Sequence, residues 1–205
     1  MLKEKFIQLI GSYSEDEMYN LDCWKEIEKK YSSKSRYYHN LEHLENMLKE
    51  VEEVNTQIVN LDCFNFALYY HDIIYSATKS DNEFQSSLRF QKRISKTSFP
   101  NIQECMRTIE ATKYHKRSED HDTNILLDCD LSILGKCTIE YMRYAENIRK
   151  EYQIYPDFLY RKGRKKVLES LLALTSIYKT DFFIQKYEKQ ARENLELELD
   201  QLAAQ

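Results

Sequence analysis

Glycine and proline are scarce in this sequence, with three Gly and two Pro among 205 residues. Tight hairpin turns depend on these residue types, so a protein built from many short strands is not expected. Leu, Glu and Lys, which favour helices, are plentiful instead. The sequence therefore predicts an all-α fold. Because a chain of this length can bury a continuous core, we expect one helical-bundle domain over residues 1–205.

Paired cysteines, long apolar runs and a basic surplus are also missing. The cysteines form no CxxC pair and lie in apolar helical patterns, so we expect reduced core thiols and a cytoplasmic location. They are Cys23, Cys63, Cys105, Cys129 and Cys137. No run approaches eighteen apolar residues, so no membrane association is expected. The net charge of -4 argues against binding of duplex nucleic acid but leaves a small anionic substrate open.

Local signals predict where several helices begin and end. Ser14 and Glu17 have the spacing of a reciprocal helix cap ahead of the second helix. Gly135 follows a dense apolar run and is expected to end that helix as a C-cap. A last helix is expected at about 180–203, and its leucines could pack on the body of the protein or on a second copy. A homodimer therefore stays open.

Two predicted helices carry histidines that are candidates for a functional site. Asn40 precedes an apolar stripe, which predicts a third helix with His43 in its first turns. The apolar and aromatic run that ends at Tyr75 predicts a helix from about residue 62, with His71 and Asp72 in its interior. An imidazole beside a carboxylate in such a segment is costly to bury unless both groups are satisfied.

A divalent metal would satisfy both groups, although the plainer alternative is a core histidine bonded to a helix carbonyl with Asp72 reaching solvent. All five histidines lie within residues 39–121. If His43, His71, Asp72 and Asp130 converge from three helices, they provide two imidazoles and two carboxylates with open coordination positions. This set suits Mn²⁺, Fe²⁺, Co²⁺, Zn²⁺ or Mg²⁺ better than a closed structural zinc site.

An ordered set of phrases resembles the HD superfamily of metal-dependent phosphohydrolases, whose signature is H…HD…D. The phrases cover most of residues 36–180 and match a bacterial branch of predicted phosphohydrolases. They are RYYHNLEH at 36–43, YHDIIY at 70–75, DNE at 81–83, ATKYH at 111–115, LDCDLSILG at 127–135 and IRKEY at 148–152. The resemblance implies an HD-type helical fold and a site with one or two divalent ions held by His43, His71, Asp72 and Asp130.

The YHNxxH phrase also resembles the start of the catalytic domain of cyclic-nucleotide phosphodiesterases. That likeness implies that His43 binds the metal and that His39 protonates the leaving oxygen. The alternative for His39 is a helix N-terminal residue with local hydrogen bonds only. Asp128 and Asp130 diverge by about 200° around a helix, so one of them should face the metal. We choose Asp130, and Asp128 stays open as an indirect supporter or the true ligand.

Further residues are candidates for supporting roles. Glu83 and His115 could bind a second metal, and Glu83 or Asp72 could orient the attacking water. Their alternatives are a first-turn carboxylate and a helix C-terminal cation, both favoured by the helix dipole. Phosphate contacts are predicted for the cations Arg36, Lys113 and Arg149, because a guanidinium suits a pair of phosphate oxygens.

The expected activity is metal-dependent hydrolysis of a phosphate ester or anhydride of a nucleotide or another small phosphorylated metabolite. One rival is a di-iron HD-type oxygenase, for which His115 and Glu83 leave room. Another is a non-catalytic module that binds a nucleotide or a metal and signals through a partner. Iron with oxygen consumption would favour the first rival, and tight nucleotide binding without product would favour the second.

Overall fold

Helices account for the regular structure of this chain in a computed structural model that describes residues 1–204. Those residues contain no strand, so the predicted all-α class is confirmed. The ten α-helices of residues 1–204 are α1 Leu2–Gly11, α2 Glu17–Tyr31, α3 Leu41–Val54, α4 Leu61–Tyr70, α5 Asn82–Ile94, α6 Ile102–Ala111, α7 His121–Leu131, α8 Thr138–Glu151, α9 Asp157–Leu172 and α10 Asp181–Ala204. None of these helices is long and apolar enough to cross a bilayer.

The chain divides into two compact units, Met1–Leu126 and a second that begins at Leu127. The boundary falls within α7. Each unit has its own set of packed helices, and the prediction of one domain over residues 1–205 stays a prediction.

Aromatic rings fill the core of the first unit. Phe66 lies edge-on to Phe99 with ring centroids 4.8 Å apart, and Tyr70 meets Phe90 at 5.4 Å. Phe6, on α1, packs against Tyr69 at 5.1 Å. Edge-to-face pairs of this kind add to the stabilisation from area burial. The core therefore runs along α4, the helix that leads to His71.

Side-chain caps start the helices near the histidines. Asn40 accepts hydrogen bonds from the backbone N–H groups of Glu42 and His43, as the sequence predicts for the start of α3. Asn60 caps α4 in the same way by accepting from the Cys63 N–H. These caps satisfy N–H groups that have no partner inside the helix. The cap on α3 also fixes the position in the helix from which the His43 side chain projects.

Some local predictions are wrong. Asp16, not Ser14, caps α2, because its carboxylate accepts from the Tyr19 N–H. Gly135 lacks the left-handed backbone of the predicted C-cap and ends a 3₁₀ turn, Ser132–Gly135. A Cβ at that position would overlap the Tyr187 side chain, so close packing rather than backbone freedom explains this glycine.

The cysteine prediction is correct for four of the five residues. All five lie within the described residues, and none of them forms a disulfide. Four are buried, whereas Cys137 is exposed and its thiol contacts Glu140. Cys137 lies between Lys136 and Thr138 and immediately precedes α8, outside the apolar face of that helix.

Polar groups organise the second unit. A buried, two-point ion pair joins Arg164 of α9 to Glu198 of α10, with N–O distances of 2.8 and 2.9 Å. Asn194 donates to the carbonyls of Leu134 and Lys136, which ties α10 to the turn before α8. Such groups are costly to bury without partners, so these contacts define how α9 and α10 pack.

Candidate metal centre

His71 and Asp72 lie just beyond a helix rather than inside one. The structure ends α4 at Tyr70, with His71 as its C-cap and Asp72 in the following turn, so the predicted helix to Tyr75 is wrong at this end. Residues in that turn hydrogen-bond to side chains from elsewhere in the unit instead of continuing the helix. Both side chains project from a bend, and both residues are buried.

The His71 ring is oriented by the backbone of its own helix. Its Nδ1 lies 2.9 Å from the carbonyl oxygen of Leu68. Because a carbonyl oxygen only accepts, Nδ1 carries the proton, and in the neutral ring Nε2 presents a lone pair. Metal-binding histidines characteristically donate their second N–H to a carbonyl in this way. The plainer alternative from the sequence, a helix carbonyl as the partner of His71, is therefore present and compatible with metal binding.

Three ligand atoms converge at this point. The Nε2 atoms of His43 and His71 are 3.2 Å apart, and Asp72 Oδ2 lies 3.3 Å from His71 Nε2. His43, His71 and Asp72 form the group of potential ligands found among the described residues, with the relevant atoms all within 4.8 Å of one another. Their residues are only 3%, 1% and 8% exposed. These three side chains could hold a metal ion.

The donor separations fit a first-row divalent ion. With bonds of about 2.0–2.3 Å, adjacent ligand atoms on such an ion lie roughly 2.8–3.8 Å apart, the shorter values in octahedral and the longer in tetrahedral geometry. The separations of 3.2 and 3.3 Å fall in this range. The chemistry also fits, since two imidazole nitrogens and a carboxylate oxygen lie close to one point and are ligand types that divalent transition metals accept.

The turn that carries Asp72 is bonded from several directions. The Ser86 hydroxyl accepts from the Ile74 N–H and donates to the Ile74 carbonyl. Asn82 makes a matching pair of bonds with the N–H and carbonyl of Ser76. Both residues lie on α5, so that helix lines the turn. Few backbone groups of the turn are left to move independently.

Arg36 and Tyr31 reach the same turn from the other side. The Arg36 guanidinium donates to the carbonyls of Asp72 and Ile73, at 2.7 and 3.1 Å, and to the His39 carbonyl at 3.2 Å. The Asp72 N–H donates to the Tyr31 hydroxyl at 3.2 Å. Sequence reasoning missed Tyr31, and no spacing signal distinguishes it from the other residues that end a helix.

His39 lies next to the three-residue group. Its Nε2 is 3.9 Å from Asp72 Oδ2, and its ring stacks on Tyr75 with centroids 4.2 Å apart. The side chain is 19% exposed, compared with 1% for His71. Among His39, His43 and His71, His39 is the most exposed to solvent, as a proton donor to an arriving substrate would need to be.

The other predicted residues of the first unit lie on or beside two helices, α5 and α6. Glu83 is in the first turn of α5 and half-buried. His115 lies beyond the end of α6, with a positive φ of 47°, an uncommon conformation for a residue other than glycine. Lys113 is exposed, with its ammonium 5.2 Å from the Tyr114 ring centroid. Neither Glu83 nor His115 belongs to the group of three ligands, and their roles stay predictions.

The second unit contains the remaining candidates. Asp128 is fully buried and accepts from the N–H groups of Lys179 and Thr180 and from the Thr180 hydroxyl. Burial raises the pKa of Asp128, while the Thr180 hydroxyl bond and the Lys179 charge act in the opposite direction.

Asp130 is half-buried, and its role as a fourth ligand stays a prediction. The Arg149 guanidinium donates to the carbonyls of Tyr152 and Tyr155 and to Asp157.

Comparisons with protein-family models, with curated proteins and with solved structures gave no match to this chain. Membership of the HD superfamily therefore stays a prediction from the sequence phrases. The residues that bear most directly on function are His43, His71 and Asp72.

Proposed function

We propose that this protein is a metal-dependent phosphohydrolase that cleaves a phosphate ester or anhydride of a nucleotide or another small phosphorylated metabolite. The observation that carries the proposal is that buried His43, His71 and Asp72 each offer a ligand atom, with these atoms all within 4.8 Å of one another. A divalent ion, when bound there, supplies Lewis acidity that polarises a phosphoryl oxygen and acidifies a water molecule. Two imidazole ligands favour Mn²⁺, Fe²⁺, Co²⁺ or Zn²⁺ over Mg²⁺.

The side chains around this group have separate tasks in the proposal. His39 donates a proton from its imidazole to the leaving oxygen, supported by its part-exposed position beside Asp72. Tyr75 holds the His39 ring by stacking on it. The Asp72 carboxylate, 3.9 Å from His39 Nε2, stabilises the protonated imidazole before transfer. The Leu68 carbonyl keeps the His71 proton on Nδ1.

We also place the activity in a reducing compartment such as the cytoplasm. All five cysteines lie within the described residues and none forms a disulfide, and three of them, Cys23, Cys105 and Cys129, are fully buried.

Metal content and hydrolysis, measured on the same preparations, test the proposal. Wild type and His71→Ala are purified without added metal or chelator. Both are then assayed with p-nitrophenyl phosphate, bis(p-nitrophenyl) phosphate and nucleotides in Mn²⁺, Co²⁺ and Mg²⁺. His121→Ala is the matched control, because His121 is an exposed residue at the start of α7. Asp130→Ala, measured alongside, tests the predicted fourth ligand.

We expect about one or two equivalents of a transition metal in wild type and in His121→Ala. His71→Ala should lose both the metal and the phosphate release while keeping its helical circular dichroism. Wild-type metal content in His71→Ala would contradict the proposed site. Metal without turnover on any phosphate offered would favour the non-catalytic module.

A further inference from the structure

Arg36 is a buried cation whose donors point at backbone oxygens. The residue is 8% exposed and lies in the loop between α2 and α3. Its Nη1 donates to the carbonyls of Asp72 and His39, and its Nη2 donates to the carbonyl of Ile73. Three carbonyl acceptors thus surround a side chain for which the sequence predicts a phosphate contact. Both Nη atoms of Arg36 therefore already donate hydrogen bonds to the protein backbone.

The bonds to Asp72 and Ile73 bridge two consecutive carbonyls. These peptide groups follow the end of α4 and have no helical N–H to accept from. A guanidinium is planar and rigid, so two parallel bonds fix orientation as well as distance. A lysine in the same place offers one point charge and fixes much less. Arg36 therefore determines how the chain turns immediately after His71.

Tyr31 completes this arrangement. Its hydroxyl accepts from the Asp72 N–H, so the N–H and the carbonyl of Asp72 are both held by side chains. The Arg36 guanidinium carbon lies 4.8 Å from the Tyr31 ring centroid, a distance at which the ring face attracts a cation. Because the N–H and the carbonyl of Asp72 are both hydrogen-bonded, the position of its carboxylate varies only through the side-chain torsion angles. With the backbone in this position, Oδ2 lies 3.3 Å from His71 Nε2.

We propose that Arg36 is a positioning residue of the metal centre, which orients the Asp72 carboxylate through the backbone rather than binding phosphate. This inference rests on the metal site of the proposed function. Groups that orient metal ligands typically change metal affinity by about 10–100-fold when they are removed. The same loss is expected here without any change in the ligands themselves.

Cobalt binding provides a readout that needs no substrate. Wild type, Arg36→Met and Arg36→Lys are stripped of metal and titrated with Co²⁺, and the d–d absorption bands report affinity and ligand geometry together. Arg93→Met is the matched control, because Arg93 lies in the same unit, pairs with Glu26 and faces the Tyr19 ring. Thermal unfolding of each metal-free protein measures general destabilisation. His71→Ala serves as the reference for a lost ligand.

We expect Arg36→Met to weaken Co²⁺ binding by about 10–100-fold and to shift the d–d bands. Arg36→Lys should fall between Arg36→Met and wild type, and Arg93→Met should bind Co²⁺ like wild type even where it unfolds at a lower temperature. If Arg36→Met does not fold, the Co²⁺ affinity and the d–d bands of Arg36→Lys test the inference instead.

Wild-type affinity and wild-type bands in the Arg36 variants, with weaker binding of inorganic phosphate, would overturn the inference and support the predicted phosphate contact. Wild-type Co²⁺ binding by His71→Ala is a different result. It would refute the metal site itself, and with it the role of Arg36, whereas the first result leaves the metal site standing.

Discussion

Replacing Asp128 by Ala should destabilise the protein because this carboxylate holds the start of α10. Its Oδ1 accepts from the Lys179 N–H at 2.8 Å, and its Oδ2 accepts from the Thr180 N–H and hydroxyl, both at 2.8 Å. The Lys179 ammonium lies 3.9 Å away. Asp128 is fully buried, and Lys179 and Thr180 are 6% and 7% exposed. Water therefore has little room to replace the carboxylate.

The magnitude follows from the donors that would be left without a partner. An unsatisfied buried donor costs about 1–3 kcal/mol, and removing one member of a buried charged pair costs about 3–5 kcal/mol. The donors share one small space, so the separate costs do not add. We expect a loss of about 3–5 kcal/mol for Asp128→Ala. In a chain of this size, that loss corresponds to a fall in Tm of roughly 6–20 °C.

Urea unfolding, followed by circular dichroism, measures the free energy of unfolding of each variant. Two further variants provide values with which Asp128→Ala is compared. Thr180→Val removes only the hydroxyl donor and should cost about 1 kcal/mol. Glu169→Ala removes an exposed carboxylate of α9 in the same unit and should cost less than about 1 kcal/mol. Equal stabilities of Asp128→Ala and Glu169→Ala would refute the reasoning and make Asp128 a candidate ligand again.

Two other predictions concern stability and titration. Gly135→Ala should lose about 1–3 kcal/mol in urea unfolding, because the new Cβ overlaps Tyr187, whereas Gly163→Ala meets no atom within 4 Å and should gain about 0.5–1 kcal/mol inside α9. A loss in both variants would contradict the packing argument. The hydrogen bond to Asp62 raises the pKa of Tyr13 to about 12, so this tyrosine should ionise late in an ultraviolet titration, and Asp62→Asn should bring it back towards 10. Because the folded-state pKa is raised, the stabilisation by this bond is present below pH 10 and lost between about pH 10 and pH 12.

Local sequence determined the helical class and most of the helix starts. Asn40 caps α3 as predicted, and α10 begins at Asp181, close to the predicted start at about residue 180. Caps and apolar periodicity act within a few residues, so the chain carries them wherever it folds. The residue types of the site were visible for the same reason, because a His-Asp pair in an apolar run is conspicuous without any structure.

Helix ends near the site could not be predicted in this way. The apolar pattern continues to Tyr75, yet α4 stops at Tyr70. Side chains distant in sequence, Arg36 and Ser86 among them, bond the backbone groups that a longer helix would have used. The apolar pattern of residues 62–75 contains no information about these partners, because they come from other parts of the chain.

Tertiary structure alone decided which polar side chains act together. The sequence contains five histidines and marks two aspartates near Leu127, but only folding brings His43 Nε2 to 3.2 Å from His71 Nε2 and commits the Asp128 oxygens to α10. Donor and acceptor roles depend on atoms a few ångströms apart, whereas the residues involved lie 28 to 52 positions apart along the chain. Sequence spacing specifies what each helix can carry, and the packing of those helices specifies what each side chain meets.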